Sequence, residues 1–152
     1  MIEERLREMG IELPLASKAL GSYVPWLKTD KLLFLSGLLP MINGQLRYQG
    51  RVGEDVSLEQ AMDAARIITI NALSILKDSL GSLDKIRQCV KLSGYVSSAE
   101  GFTEQPRVLN AASDLLVGIF GNRGRHVRVA VGVSVLPLNS PLEIDFIFEV
   151  EE

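Results

Sequence analysis

Five valines spaced two apart, Val127, Val129, Val131, Val133 and Val135, constrain this chain more than any other feature. Side chains of a strand alternate between its faces, so the valines share one face and His126, Arg128, Ala130, Gly132 and Ser134 share the other. β-branched residues in strict alternation favour a strand over a helix. The segment 126–135 therefore reads as one strand of a sheet, with its valines turned to a core beneath helices. The opposite face is lined with small residues and one arginine. Small residues let something approach the backbone closely: another sheet, another subunit or a ligand. An arginine there is either a solvated residue on an open sheet face or a planar fork of donors suited to a carboxylate or phosphate.

The segment Leu142 to Val150 follows the same rule. Leu142, Ile144, Phe146 and Phe148 form its core face, and Glu143, Asp145 and Glu149 lie opposite. Carboxylates two apart on one strand face can do acid–base work, or they form a solvated, ion-paired surface. If these two strands pair as a hairpin through Leu138 to Ser140, Ser134 lies across from Glu143. At about 3.3 Å per residue, Arg128 is then roughly 20 Å from Glu143. A pocket using both residues would need two chains, with Ala130, Gly132 and Ser134 admitting the neighbour.

Two helices are expected. Leu58 to Leu80 opens on a capping-box pattern, Ser57 and Gln60, and closes at Gly81. Its apolar stripe runs through Leu58, Met62, Ala65, Ile68, Ala72, Leu76 and Leu80. Pro106 to Phe120 is the second helix, with the proline in the tolerated first turn and Gly121 at its end. Met1 to Met9 reads as a short amphipathic helix ended by Gly10, followed by a lead-in to residue 20. Tyr23 to Lys28 and Lys31 to Gly37 read as strands around a turn at Thr29-Asp30. The second is apolar on both faces and is expected to be buried on both sides. Gln45 to Tyr48 is a weaker strand, and Gln88 to Ser97 a further one. Strands, helix, strand, helix and a closing strand pair describe an α+β sheet with helices on one face. The 152 residues fit a single domain, 1–152.

Composition narrows the chemistry. One cysteine, Cys89, excludes an internal disulfide and cysteine-pair zinc sites, and one histidine, His126, excludes a histidine-rich metal site within one chain. Cys89 reads as an inert buried thiol. His126, between Arg125 and Arg128, reads as a structural or rim residue rather than a base. Gly121 to Arg125 has the composition of a phosphate nest but follows a helix, so a plain connecting loop is favoured. Trp26 reads as core or interface. A net charge of −3 argues against nucleic acid as a partner. The first residues carry no export pattern, and no run of 18 apolar residues suggests a membrane span. A cytoplasmic location without membrane contact is the expectation.

Several blocks together resemble the RidA/YjgF family, also called endoribonuclease L-PSP. Arg128 to Pro137 (RVAVGVSVLP) followed by Pro141-Leu142-Glu143-Ile144-Asp145 looks like that family's C-terminal signature. Gly21-Ser22-Tyr23-Val24 resembles its Gly-Pro-Tyr segment. Leu35 to Pro40 resembles its Ser-Gly-Gln-Ile-Pro strand end, and Asn110 falls at its helical asparagine. Phe102 to Pro106 matches the branch with a longer Phe-Thr-Glu-Gln-Pro segment. Ser22 stands where proline is usual, Leu38 where glutamine is common, and His126 and Val129 where proline and serine flank the arginine. These changes make the pocket more apolar.

The resemblance implies a chorismate-mutase-like fold and a homotrimer with clefts between subunits. It implies hydrolysis of reactive enamines and imines, such as 2-aminoacrylate, to 2-keto acids and ammonia. No metal or organic cofactor is implied. Carried over by position, Arg128 would grip the substrate carboxylate and Glu143 would orient the attacking water. Tyr23, Ser36 and Asn110 would line the pocket, with the Gly37 backbone beside the substrate. Two other functions are open, the first using the same cleft and the second the cluster Arg123, Arg125 and Arg128. One is a non-catalytic small-carboxylate-binding or regulatory protein; the other, favoured least, is an RNase or translation inhibitor.

Overall fold

The computed structural model describes residues 1–16, 18 and 21–152. The expected lead-in to residue 20 therefore falls partly outside the described residues. Helix α1 spans Ile2–Glu8, and strands β1 (Trp26–Thr29) and β2 (Leu32–Leu35) form a hairpin whose turn residue Asp30 has φ 53°. A small ribbon follows, β3 (Met41–Ile42) against β4 (Gln45–Leu46). Then come helix α2 (Leu58–Leu80), strand β5 (Ile86–Ser97), helix α3 (Gln105–Phe120), strand β6 (Val127–Val133) and strand β7 (Leu142–Val150).

Local chemistry accounts for the helix ends. Ser57 and Gln60 exchange side-chain and backbone hydrogen bonds, satisfying two otherwise orphaned N–H groups of α2. Gly81 takes the left-handed conformation that closes it, φ 82°. Pro106 sits in the first turn of α3, where no intrahelical N–H is needed.

The five-stranded sheet has the order β1-β2-β7-β5-β6. This corrects the hairpin expectation for the last two strands. β5 lies between them, antiparallel to β7 and parallel to β6. Tyr95 is level with both Glu143 and Val131, and Leu92 with both Phe146 and Arg128. The β5–α3–β6 crossover explains the outcome: a helix between two strands favours parallel neighbours, and β7 then takes the other side of β5.

Both long helices cover one face of the sheet. The buried layer between them includes Leu33, Leu92, Leu109, Phe146 and Phe148. The other face is open, and here a second expectation is reversed. Val127, Val129 and Val131 are 66%, 42% and 40% exposed, whereas Arg128 and Ala130 are half-buried on the helix side. Glycines on this face let α3 lie close to the sheet. A Cβ on Gly94 would collide with the Leu109 side chain, and one on Gly132 would lie 2.8 Å from Gln105 Nε2. Likewise β2 is buried on one side only. Leu33 and Leu35 face the core, and Phe34 lies beside Ile147 on the open face.

The cap gives a direct test of α2. Ser57→Ala removes one hydrogen bond of the capping box at an exposed position, so urea unfolding should show a loss of about 1 kcal/mol.

Candidate functional site

Arg128 lies near the start of β6, under the first turns of α3. Asn110 and Ser113 are three residues apart on α3 and so share one helix face. Arg128 Nη1 donates to Asn110 Oδ1 at 2.9 Å and to Ser113 Oγ at 3.0 Å, and Nη2 donates to the Pro106 carbonyl at 3.2 Å. All three acceptors are neutral, and Arg128 makes no ion pair among the described residues. A guanidinium has five N–H donors in a rigid plane. These bonds take three and leave one on Nη2 and the one on Nε. That edge is a fork for a carboxylate, on a cation whose charge nothing nearby cancels.

Glu143 belongs to a second group. A bridge between Leu38 and Ile144, with N–H···O distances of 2.8 and 3.1 Å, carries the end of β2 alongside β7. Gly37 is thereby pressed against Glu143 so closely that a Cβ there would collide with the carboxylate. Ser36 Oγ donates to the Val24 carbonyl at 2.6 Å, and Ser36 N–H to the Pro25 carbonyl at 3.0 Å. These bonds hold the segment that carries Tyr23, whose side chain is 53% exposed. Ser36 thus spends its hydroxyl proton on holding a loop.

The structure therefore brings Arg128 to Asn110, and Glu143 to Gly37, Ser36 and the Tyr23 segment. It does not join the two groups within one chain. Arg128 faces the helices, whereas Glu143 shares the open face with Val131. They are three residue levels and two strands apart, about 14 Å from the usual spacings.

The two carboxylates with shifted pKa values both lie on the open face. Partial burial, then the neighbouring Asp145, raises the pKa of Glu143. Asp145 is itself raised by burial. Tyr95 is raised, first by burial and then by Asp145, and its hydroxyl lies 3.4 Å from Asp145 Oδ2. Sequence reasoning missed Tyr95. The period-two parity of β5, with Lys91 and Ser93, places it on this face. It also missed Ser113, which only the pitch of α3 relative to Asn110 marks.

The remaining candidates are structural. Cys89 is fully buried and its thiol is pushed up to about 12. His126 hydrogen-bonds Ser113 and the Gly124 carbonyl. Gly121–Gly124 is a 3-10 turn, with Arg123 Nη1 donating to the Ile86 carbonyl at 3.0 Å. Trp26 packs half-buried against the core. Among the described residues, no group of three or more His, Cys, Asp or Glu is placed to hold a metal. No helix among them is long and apolar enough to cross a membrane.

A five-stranded sheet covered on one face by two helices, with a β5–α3–β6 crossover that sets an arginine at the edge strand, defines the chorismate-mutase-like class of α+β proteins. Residues 3–150 match the model of one family in it, and the chain belongs to that family, described as "YjgF/chorismate_mutase-like, putative endoribonuclease". It is 35% identical to protein TCP17 of Trypanosoma cruzi over 150 residues, covering 98% of this chain and 94% of that one. A solved protein of unknown function from Agrobacterium tumefaciens is 44% identical, with TM-score 0.91, covering 99% of this chain and 92% of the other. A "putative endoribonuclease" from Shewanella oneidensis is 38% identical, with TM-score 0.95 and 99% coverage of both chains.

The raised pKa of Glu143 links its protonation to stability. The native state holds this proton to higher pH than the unfolded chain does, so between the two pKa values stability falls as pH rises. Glu143→Gln should remove that part of the dependence. Urea unfolding of both proteins from the ordinary carboxylate range upward should show a flatter profile for the variant.

Proposed function

We propose that this protein hydrolyses reactive imines derived from amino acids, of which 2-aminoacrylate and its imine tautomer are the model. The observation that carries the reading is the uncompensated fork of Arg128, held open by three neutral oxygens. An imino acid supplies what that fork takes, a carboxylate, one bond from an electrophilic carbon. Water needs positioning there more than it needs a strong nucleophile.

In the proposed reaction, Glu143 accepts a proton from water as its oxygen adds to the C=N carbon. It returns that proton to the nitrogen to give a carbinolamine, then moves the carbinol O–H proton to the same nitrogen as the C–N bond breaks, releasing ammonia and leaving a carbonyl. The product is a 2-keto acid. A carboxylate with a raised pKa suits both halves of this transfer near neutral pH. Gly37 leaves room beside Glu143, and Tyr23 on its loop forms a wall. Nothing in the scheme calls for a metal or an organic cofactor.

Because Arg128 and Glu143 face opposite sides of one sheet, the site is proposed to form between subunits. The exposed face carrying Val127, Val129, Val131, Leu27 and Phe34 supplies an apolar surface for such contact. A homotrimer with three equivalent clefts, as the family resemblance implies, closes that arrangement. Carboxylate binding without turnover uses the same fork, and RNA cleavage is the reading carried by the Shewanella relative's description.

The deciding assay generates 2-aminoacrylate enzymatically and reads keto-acid release above the uncatalysed rate, with and without a chelator. Wild-type protein should accelerate release equally in both. Arg128→Ala should lose about 100-fold or more, and Arg128→Lys should also be poor because a point charge cannot replace the fork. Subunits of Arg128→Ala and Glu143→Ala, each inactive alone, should recover part of the activity when mixed. No acceleration by wild type leaves a binder, and chelator-insensitive RNA cleavage that purifies with the protein and is lost in Arg128→Ala replaces the deaminase reading.

A further inference from the structure

We infer that His126, acting through Ser113, is a positioning residue that locks the Arg128 guanidinium with its Nε–Nη2 edge free. The inference rests on the reading of Arg128 as a carboxylate clamp. Its starting point is a chain of hydrogen bonds whose direction can be deduced. His126 Nδ1 lies 2.7 Å from the Gly124 carbonyl oxygen, which can only accept, so Nδ1 carries the proton. In the neutral ring, Nε2 is then an acceptor, and it lies 2.8 Å from Ser113 Oγ. Ser113 therefore donates its hydroxyl proton to His126 and turns a lone pair toward Arg128 Nη1, 3.0 Å away. Every polar atom in this relay has a defined role.

The relay is anchored at its far end by backbone packing. Gly124 is buried, and a Cβ there would collide with the Leu116 carbonyl on α3. Its carbonyl is thus held at a fixed height against the helix that carries Asn110 and Ser113. His126 spans from that carbonyl to Ser113, and Ser113 with Asn110 holds Nη1. Without His126, the Ser113 hydroxyl is free to turn its proton toward Arg128 and repel it. The Nδ1–H tautomer is what gives the serine its direction.

The experiment compares wild type, His126→Leu, His126→Gln, Ser113→Ala and the double variant Ser113→Ala/His126→Leu, all as the full chain. Pyruvate is the binding probe, with enzymatically generated 2-aminoacrylate for turnover. His126→Leu and Ser113→Ala should each weaken pyruvate binding and raise KM about tenfold, with kcat within about twofold. Gln keeps an acceptor for Ser113 and should recover most of the loss. The double variant should be no worse than either single one, because both break the same relay. Imidazole nitrogen NMR of the wild type should show Nδ1 protonated and Nε2 not.

The opposite tautomer, an unchanged pyruvate affinity in His126→Leu, or losses that multiply in the double variant would each overturn the relay. If wild type binds no pyruvate, the clamp reading falls. The relay is then judged on the tautomer and on the order of the Arg128 Nε–H, read by nitrogen relaxation. That order should drop in His126→Leu, and an unchanged value overturns it.

Discussion

The close approach of α3 to the sheet decides most of what this molecule is. Gly94 and Gly132 carry no side chain where Leu109 and Gln105 come down, and Ala130 carries only a methyl group. The helix can then lie low enough for Asn110 and Ser113 to reach Arg128. The same packing turns the valines of β6 away from the core. One steric constraint thus selects the covered face, builds the arginine's cradle and leaves an apolar surface exposed. A side chain at Gly94 would lift the helix and dismantle all three.

The two polar groups are complementary in how they are left unfinished. The helix side offers a cation whose ligands are neutral oxygens and whose remaining edge is free. The open side offers a carboxylate pressed on glycine backbone, raised by burial and by Asp145, without a cationic partner among the described residues. Neither arrangement is what folding alone favours. A buried or half-buried charge normally finds an opposite charge, because desolvation is otherwise uncompensated. Holding each charge apart from an opposite charge costs stability in the free chain, and in the proposed assembly would leave both available to a ligand that carries an anion at one end and an electrophile at the other.

The sequence made the elements legible but not their sides. Leu58–Leu80 with its box and glycine stop, and Leu142–Val150 with its alternation, are written in local chemistry and match the structure residue for residue. Arg128, Asn110, Gly37 and Glu143 are site candidates through resemblance to a family, and Arg128 is also marked by its small neighbours. Period two, by contrast, says which residues share a face and never which face is covered. The rule that branched apolar side chains of a strand are usually buried places the valines in the core. That rule fails where the chain keeps an apolar face for contact with another surface. The hairpin assumption failed for a related reason. Nearness in sequence suggests pairing, but the crossover through α3 had already reserved the place beside β5. Ser113 and Tyr95 escaped notice because serines and tyrosines carry no signal until a helix pitch or a strand register sets them beside a charge.

An exposed valine face next to a sheet edge is hazardous in isolation. β6 is the last strand of the sheet, so its outer backbone groups and its valines invite unspecific pairing with any other strand. The surface is not uniformly apolar, however. Lys91, Ser93, Tyr95, Glu143 and Asp145 interrupt it with groups that must find particular partners on any surface that covers them. A random hydrophobic contact would strand these charges in a dry interface at a cost that apolar burial cannot offset. Only a surface matching both the valines and the polar row lowers the free energy, and in the proposed assembly that surface belongs to another copy of the chain. The residues that make the free face wasteful for a monomer are then the ones that make its covering specific. The proposed catalytic carboxylate is one of them, so in that assembly the contact that hides the valines would also be the contact that completes the site.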